Sequence, residues 1–177
     1  ALTLIVPTVI SQLVMLVYNM ADTWIIGQTG DPHQVAAVTV TYPIFMMMNA
    51  LANLFGIGGS SLISRMLGSG EQEKTGAVAA FSLWAAGGVT LIYSIVCLLF
   101  DGALLTVLGT DAGTFGYAKD YLFWTVIVGG LPTVLNLVLA NLIRAQGEAR
   151  TASIGMSIGG ILNVFLDPVF IFLLGMG

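Results

Sequence analysis

The stretch Gly160-Ile161-Leu162-Asn163-Val164-Phe165-Leu166-Asp167-Pro168-Val169-Phe170-Ile171-Phe172 sets the reading of this chain. It is apolar enough to lie in a bilayer, yet it holds a carboxamide and a carboxylate. Asn163 and Asp167 are four residues apart, so a helix stacks them on one face. Pro168 has no N–H and its ring clashes with the Val164 carbonyl, which then needs another partner. These groups offer converging oxygen ligands to a proton or a small cation. An acid at the bilayer centre costs about 2.5–3.5 kcal/mol on insertion scales, and intramembrane acids are functional by default.

The composition agrees with a membrane setting. The 177-residue chain is 57% hydrophobic and 8% charged, with a net charge of −4 and a mean hydropathy of +0.97. Soluble domains carry about 25% charged residues. The apolar runs reach 20 residues, which predicts membrane helices rather than the roughly 10-residue alternating strands of a β-barrel. The fold class expected is all-α, a polytopic helical membrane protein. Cys97 is the single cysteine, so no internal disulfide forms. The chain opens on Ala1, already in an apolar run, and closes at Gly177 after a helical one, so it reads as part of a longer protein.

Five spans are expected, at about 1–26, 34–67, 76–100, 121–143 and 151–174. Asp31 and Pro32 are a good N-cap and first helical residue for the second span. That span exceeds what a bilayer needs and contains Pro43, which predicts tilt, a kink or protrusion. Ser69 and Gln72 have capping-box spacing for the third span. The polar stretch 101–120 carries Gly-Thr-Asp-Ala-Gly, a cap for a short interfacial helix. Arg65-x-x-Gly68 and Arg144-x-x-Gly147, each followed by an acid, hint at similar helix-turn chemistry. Arg65, Lys74, Arg144 and Arg150 cluster in two connections, while the other two share only Lys119. The positive-inside rule therefore puts both elbows and the chain start in the cytoplasm and the chain end outside. With 1.5 Å per residue, Asp22 then lies about 6 Å and Asp167 about 10 Å from the outer ends of spans one and five. Two acids at similar depth suit one shared cavity.

Other features have plainer readings. Met46, Met47 and Met48 read as lipid-facing or core residues before they read as an adaptable drug surface. His33 reads as a solvated loop residue, and Pro43 and Pro132 as simple kinks. The Gly and Ser residues between Gly56 and Gly70 suit close helix packing.

Pro7-Thr8-x-x-Ser11-Gln12 and Asn19-x-x-Asp22-Thr23-x-x-x-Gly27 resemble the first helix of the multidrug and toxic compound extrusion (MATE) transporters. Arg144-Ala145-Gln146-Gly147 leading into Asn163-x-x-x-Asp167-Pro168 resembles that family's fourth-to-fifth helix segment. The resemblance implies a twelve-helix fold of two six-helix lobes, with this chain supplying helices one to five of the amino-terminal lobe. The sixth helix and the second lobe would be missing partners. It implies an antiporter in the plasma membrane that exports cationic, amphipathic compounds in exchange for Na+ or H+. Carried over, Asp22, Asn163 and Asp167 form the ion-coupling set, including any Na+ site. Tyr18 matches a cavity tyrosine, and Asn136 and Asn141 are further candidates for the substrate cavity, although such asparagines more often hydrogen-bond a neighbouring helix than bind a ligand. Pro7 and Pro168 are bending points. No other cofactor, no metal beyond the coupling ion and no nucleic acid is expected.

Alternatives from other classes remain. A lipid or polysaccharide flippase of the same superfamily shares the architecture but lines its cavity with basic residues, and none of the five here lies mid-span. An inert fragment is the other. An intramembrane aspartyl protease is excluded as an enzyme reading, because Ala21 precedes Asp22 and Leu166 precedes Asp167.

Overall fold

The computed structural model describes residues 31–168 together with Val9, Ile10, Leu13, Val14, Leu16, Val17 and Met20, with side chains described through Ile158. Every secondary-structure element among the described residues is helical. Val9, Ile10, Leu13, Val14, Leu16, Val17 and Met20 are helical too.

Helix α1 runs Pro32–Ser69. It starts as its residues dictate: Asp31 is extended, Pro32 opens the first turn, and an Asp31 carboxylate oxygen accepts the His33 N–H at 2.9 Å. At 1.5 Å per residue its 38 residues span about 57 Å, well beyond a bilayer core of about 30 Å. It continues through Pro43 as one helix. Helix α2 is Thr75–Leu99, and a short α3, Asp101–Val107, follows. Helix α4, Phe115–Leu122, passes into a π-helical segment, Phe123–Val128, and then α5, Gly130–Ala145. Helix α6 is Ala149–Pro168.

Three helices make the core, with α1, α2 and α5 packed mutually, α4 against α1, and α6 against α5. The buried side of α1 is Ala37, Thr41, Ile44, Met48, Ala52, Gly56, Gly59 and Ile63, spaced by three or four residues. The buried side of α2 is Ser82, Ala86, Thr90, Ser94 and Cys97. Small residues let helix backbones approach where lipid removes the hydrophobic drive for association. At Gly59 an added Cβ would collide with the Ser82 hydroxyl and come within 3.0 Å of Leu142, so the expectation of close packing there is met. Buried hydroxyls bond back along their own helices, Thr41 to the Ala37 carbonyl at 2.8 Å and Thr90 to Ala86 at 2.7 Å. Those bonds satisfy donors that would otherwise be costly to bury.

Large apolar side chains point outward, among them Leu54, Ile57, Phe81 and Trp84. Such a surface is solvated by acyl chains rather than by water. Among the described residues two helical stretches, Pro32–Ser69 and Gln72–Leu99, are long and apolar enough to cross a membrane, and the bent pair Phe115–Val128 and Gly130–Ala145 makes a third. The methionines divide: Met48 is fully buried, while Met46 and Met47 are exposed.

Several local expectations are corrected. The Ser69–Gln72 capping box does not form. Ser69 is the last residue of α1, its hydroxyl donates to the Met66 carbonyl at 3.1 Å, and α2 begins only at Thr75 after a 3-10 turn. The shared elbow chemistry also has a different register. Gly70 (φ 82°) and Gly147 (φ 90°) take the left-handed conformation that ends each helix, while Gly68 remains inside α1. The following Glu71 and Glu148 N–H groups bond back to Met66 and Ile143 at 2.9 and 3.3 Å. The common unit is therefore Gly-Glu, with Arg65 and Arg144 at unequal distances before it.

The stretch 101–120 is more helical than its polarity suggests. Asp111 accepts the Thr114 N–H at 2.7 Å in the turn before α4, whose N-cap is Thr114 with no side-chain cap bond, and α4 begins at Phe115 and leads straight into the fourth span. The short helix α3 precedes it. The span bends by 47° where Gly129 lies, with the Gly129 N–H bonded five residues back to Trp124 at 2.9 Å. Pro132 lies just beyond and denies the Val128 carbonyl its usual donor, a standard cause of a helix kink.

Candidate functional site

Four of the candidate residues, Asn136, Asn141, Asn163 and Asp167, lie on the two helices of the α5–α6 hairpin. The Gly147 turn reverses the chain, and α6 then carries Asn163 and Asp167 on successive turns of one continuous helix. The described part of this helix runs to Pro168. The side chains of these three lie outside the described ones. Asp22, Tyr18 and Pro7 lie outside the described residues altogether. Among the described residues no cluster of three metal-ligating His, Cys, Asp or Glu side chains occurs. The donor set expected for the coupling ion, carboxylate and carboxamide oxygens, is of the hard type that Na+ accepts.

Asn136 and Asn141 occupy different settings. Asn136 is exposed on α5, whereas Asn141 is half-buried. Five residues at 3.6 per turn separate them by about 140° around the helix. Asn141 packs on α1, where a Cβ at Gly56 would lie 2.7 Å from its amide nitrogen. Its carbonyl oxygen accepts from Arg144 Nη1 at 3.2 Å. Arg144 Nη2 donates to the Met156 sulfur of α6 at 2.6 Å, and among the described residues the buried Nε has no hydrogen-bond partner. The Arg144 guanidinium therefore ties α5 to the helix bearing Asn163 and Asp167 through neutral acceptors. The sequence marks Arg144 as basic but gives no sign of Met156 as its partner.

At the opposite end of α1, His33 is not merely solvated. Its Nδ1 lies 3.2 Å from the Thr114 hydroxyl and 4.0 Å from an Asp111 carboxylate oxygen, and its ring lies against Gly113. Lys119 Nζ pairs with Asp101 at 3.1 Å, joining α4 to α3. That lysine holds the Asp101 carboxyl below the usual carboxylate range, chiefly by its hydrogen bond, and the Thr114 hydroxyl does the same for Asp111.

The fold defines an all-α, multi-pass membrane protein. Residues 7–169 match the MatE family, and the chain belongs to it. It is 32% identical over 166 residues to the multidrug export protein MepA of Staphylococcus haemolyticus, covering 94% of this chain and 36% of that protein. For the MepA protein of Staphylococcus saprophyticus the values are 33% over 168 residues, 94% and 37%. The chain thus spans little more than a third of the length of these relatives. Among solved structures, it superposes on a MATE transporter in the straight conformation with a TM-score of 0.92 at 32% identity, covering 99% of this chain and 39% of that one. The bent conformation gives 0.85 at the same identity and coverage. A Pyrococcus furiosus transporter of the MOP superfamily, described as having a binding pocket of reversed polarity, gives 0.91 at 32% identity, with 97% and 38% covered.

Proposed function

We propose that this chain is the amino-terminal lobe, helices one to five, of a multidrug exporter that exchanges cationic amphipathic compounds for Na+ or H+. The carrying observation is that Asn163 and Asp167 stand on successive turns of α6 in a chain of the MatE family. The MepA relatives are described as multidrug export proteins, which supports the drug cargo. In this reading Asp22 and Asp167 face one cavity, and two acids in a poorly solvated site do not both ionise easily. They titrate as a coupled pair. A cation or proton neutralises the pair and competes with a positively charged cargo, and that mutual exclusion is the linkage an antiporter requires. A second lobe and a sixth helix complete the site, since alternating access needs two halves about a shared centre. The chain start is cytoplasmic and the chain end external.

The flippase reading is weaker. Arg65, Lys74, Lys119, Arg144 and Arg150 all lie near helix ends, which does not suit an anionic cargo. The test is efflux of a cationic dye from vesicles holding the complete transporter under an imposed Na+ or pH gradient. Asp167→Asn keeps the shape and removes the titration, and it abolishes coupled efflux while expression stays intact. Efflux at the parental rate under both gradients would overturn the assignment. Asn163→Ala impairs Na+-driven efflux more than proton-driven efflux, because a carboxamide oxygen ligates a hard cation and is not needed to hold a proton.

A further inference from the structure

Two consecutive residues of α2, Tyr93 and Ser94, reach to the backbones of two different neighbouring helices. The Tyr93 hydroxyl donates to the Ile44 carbonyl of α1 at 2.8 Å. The buried Ser94 hydroxyl donates to the Val126 carbonyl of the π-helical segment at 3.0 Å. Each target sits beside a weak point in its helix. Ile44 follows Pro43, the proline inside α1. Val126 lies just before the 47° bend and Pro132. The two weak points are at one level, because a Cβ on Gly130 would lie 2.9 Å from the Met48 sulfur and 3.5 Å from the Ser94 hydroxyl. A proline inside a helix is a recognised cause of bending, and π-turns occur often at functional sites.

What lies on either side of this level differs. Outward, α1 and α4 are clasped to each other by polar contacts. His33 Nδ1 lies 3.2 Å from the Thr114 hydroxyl and 4.0 Å from an Asp111 carboxylate oxygen. Inward, α1, α2 and α5 close through Gly56, Gly59 and Ser82 with little room to shift. We propose that Pro43–Ile44 and Val126–Pro132 form one hinge level, pinned by Tyr93 and Ser94, about which the clasped outer halves of α1 and α4 tilt as a single body. The inference does not depend on the coupling ion or on the cargo.

The test uses the whole chain in lipid nanodiscs, with Cys97→Ser and spin labels at Gly116→Cys and Gln146→Cys, two exposed positions on either side of the bend. With the pins present, the distance distribution has one narrow population. The double variant Tyr93→Phe with Ser94→Ala adds a population longer by about 4 Å, the gain from straightening the two arms at 1.5 Å per residue. Ser94→Thr keeps the hydroxyl and retains the narrow population. A second label pair, Val35→Cys with Gly116→Cys, reports the outer halves alone, and its dipolar broadening stays constant while the first pair changes. Circular dichroism checks helicity, and each single variant serves where the double one does not fold. A Gly116–Gln146 distribution unchanged in every variant overturns the pins. A change in the Val35–Gly116 pair overturns the single-body motion.

Discussion

The Nδ1 of His33 lies 3.2 Å from the Thr114 hydroxyl, joining the first turn of α1 to the residue that precedes α4 across 81 positions of sequence. With Gly113 against the imidazole face, the ring occupies a fitted slot. His33→Ala removes one such bond, whose typical net value is about 0.5–1.5 kcal/mol. The expected result is a lower thermal midpoint in detergent. Gly113→Ala, which pushes on the same ring, lowers it as well. Melting curves that match the parent for both variants would remove the contact from the fold's stability.

Adjacent glycines in α1 provide an internal control for packing. A Cβ at Gly59 meets Ser82 and Leu142, whereas one at Gly58 meets nothing within 4 Å. Gly59→Ala forces α1 away from α2 and α5 and costs about 1–3 kcal/mol, the usual range for overpacking. Gly58→Ala is neutral or stabilising, because glycine is a poorer helix former than alanine. Reversible unfolding in mixed micelles separates the two, and equal effects would contradict the close approach at Gly59.

The Asp101–Lys119 pair sets a direction for acid sensitivity. Lys119 holds the Asp101 carboxyl below its ordinary value, so the folded state binds that proton less readily than the unfolded one. The contribution is therefore fully present above the unfolded carboxylate value of about 3.9, and it is lost as pH falls through the lower folded value. A partly exposed pair of this kind is worth about 0.2–1 kcal/mol. Lys119→Met reduces stability at pH 6 and leaves it nearly unchanged at the acid end of the titration. A loss of equal size across that whole range would show that Lys119 acts by packing alone.

Orientation has a direct readout. Cysteines at Gln72 and Gln146, both exposed at the basic elbows, resist a membrane-impermeant maleimide in intact cells and react after permeabilisation. A cysteine at the exposed Ala112 reacts from outside. The reverse pattern would invert the proposed topology. Each measurement uses the Cys97→Ser background.

Local rules made much of the chain legible. The apolar runs announced helices, and Asp31 with Pro32 announced where α1 begins, because an N-cap is a matter of two or three neighbouring residues. The motifs that resemble the MATE family are short runs of neighbouring residues, and the match over residues 7–169 agrees with them. Turn register was harder. Gly68, Gly70 and Gly147 look alike in sequence, yet only Gly70 and Gly147 have positive φ, since each helix ended where its packing stopped.

What tertiary structure alone decided is rotation and partnership. A soluble helix advertises its buried side through amphipathic periodicity. Membrane helices carry a weak version of that signal, since lipid tails are as apolar as the core. Nothing in Met46-Met47-Met48 identifies Met48 as the buried one, and nothing near His33 names Thr114, more than eighty residues away, as its neighbour. Nor does the alcohol-bearing pair Tyr93-Ser94 announce that it bonds to Ile44 and Val126. The sequence determined that these segments are helices. Their mutual rotation, and so the choice of hydroxyl, imidazole and guanidinium partners, followed from close packing around the small residues of α1, α2 and α5.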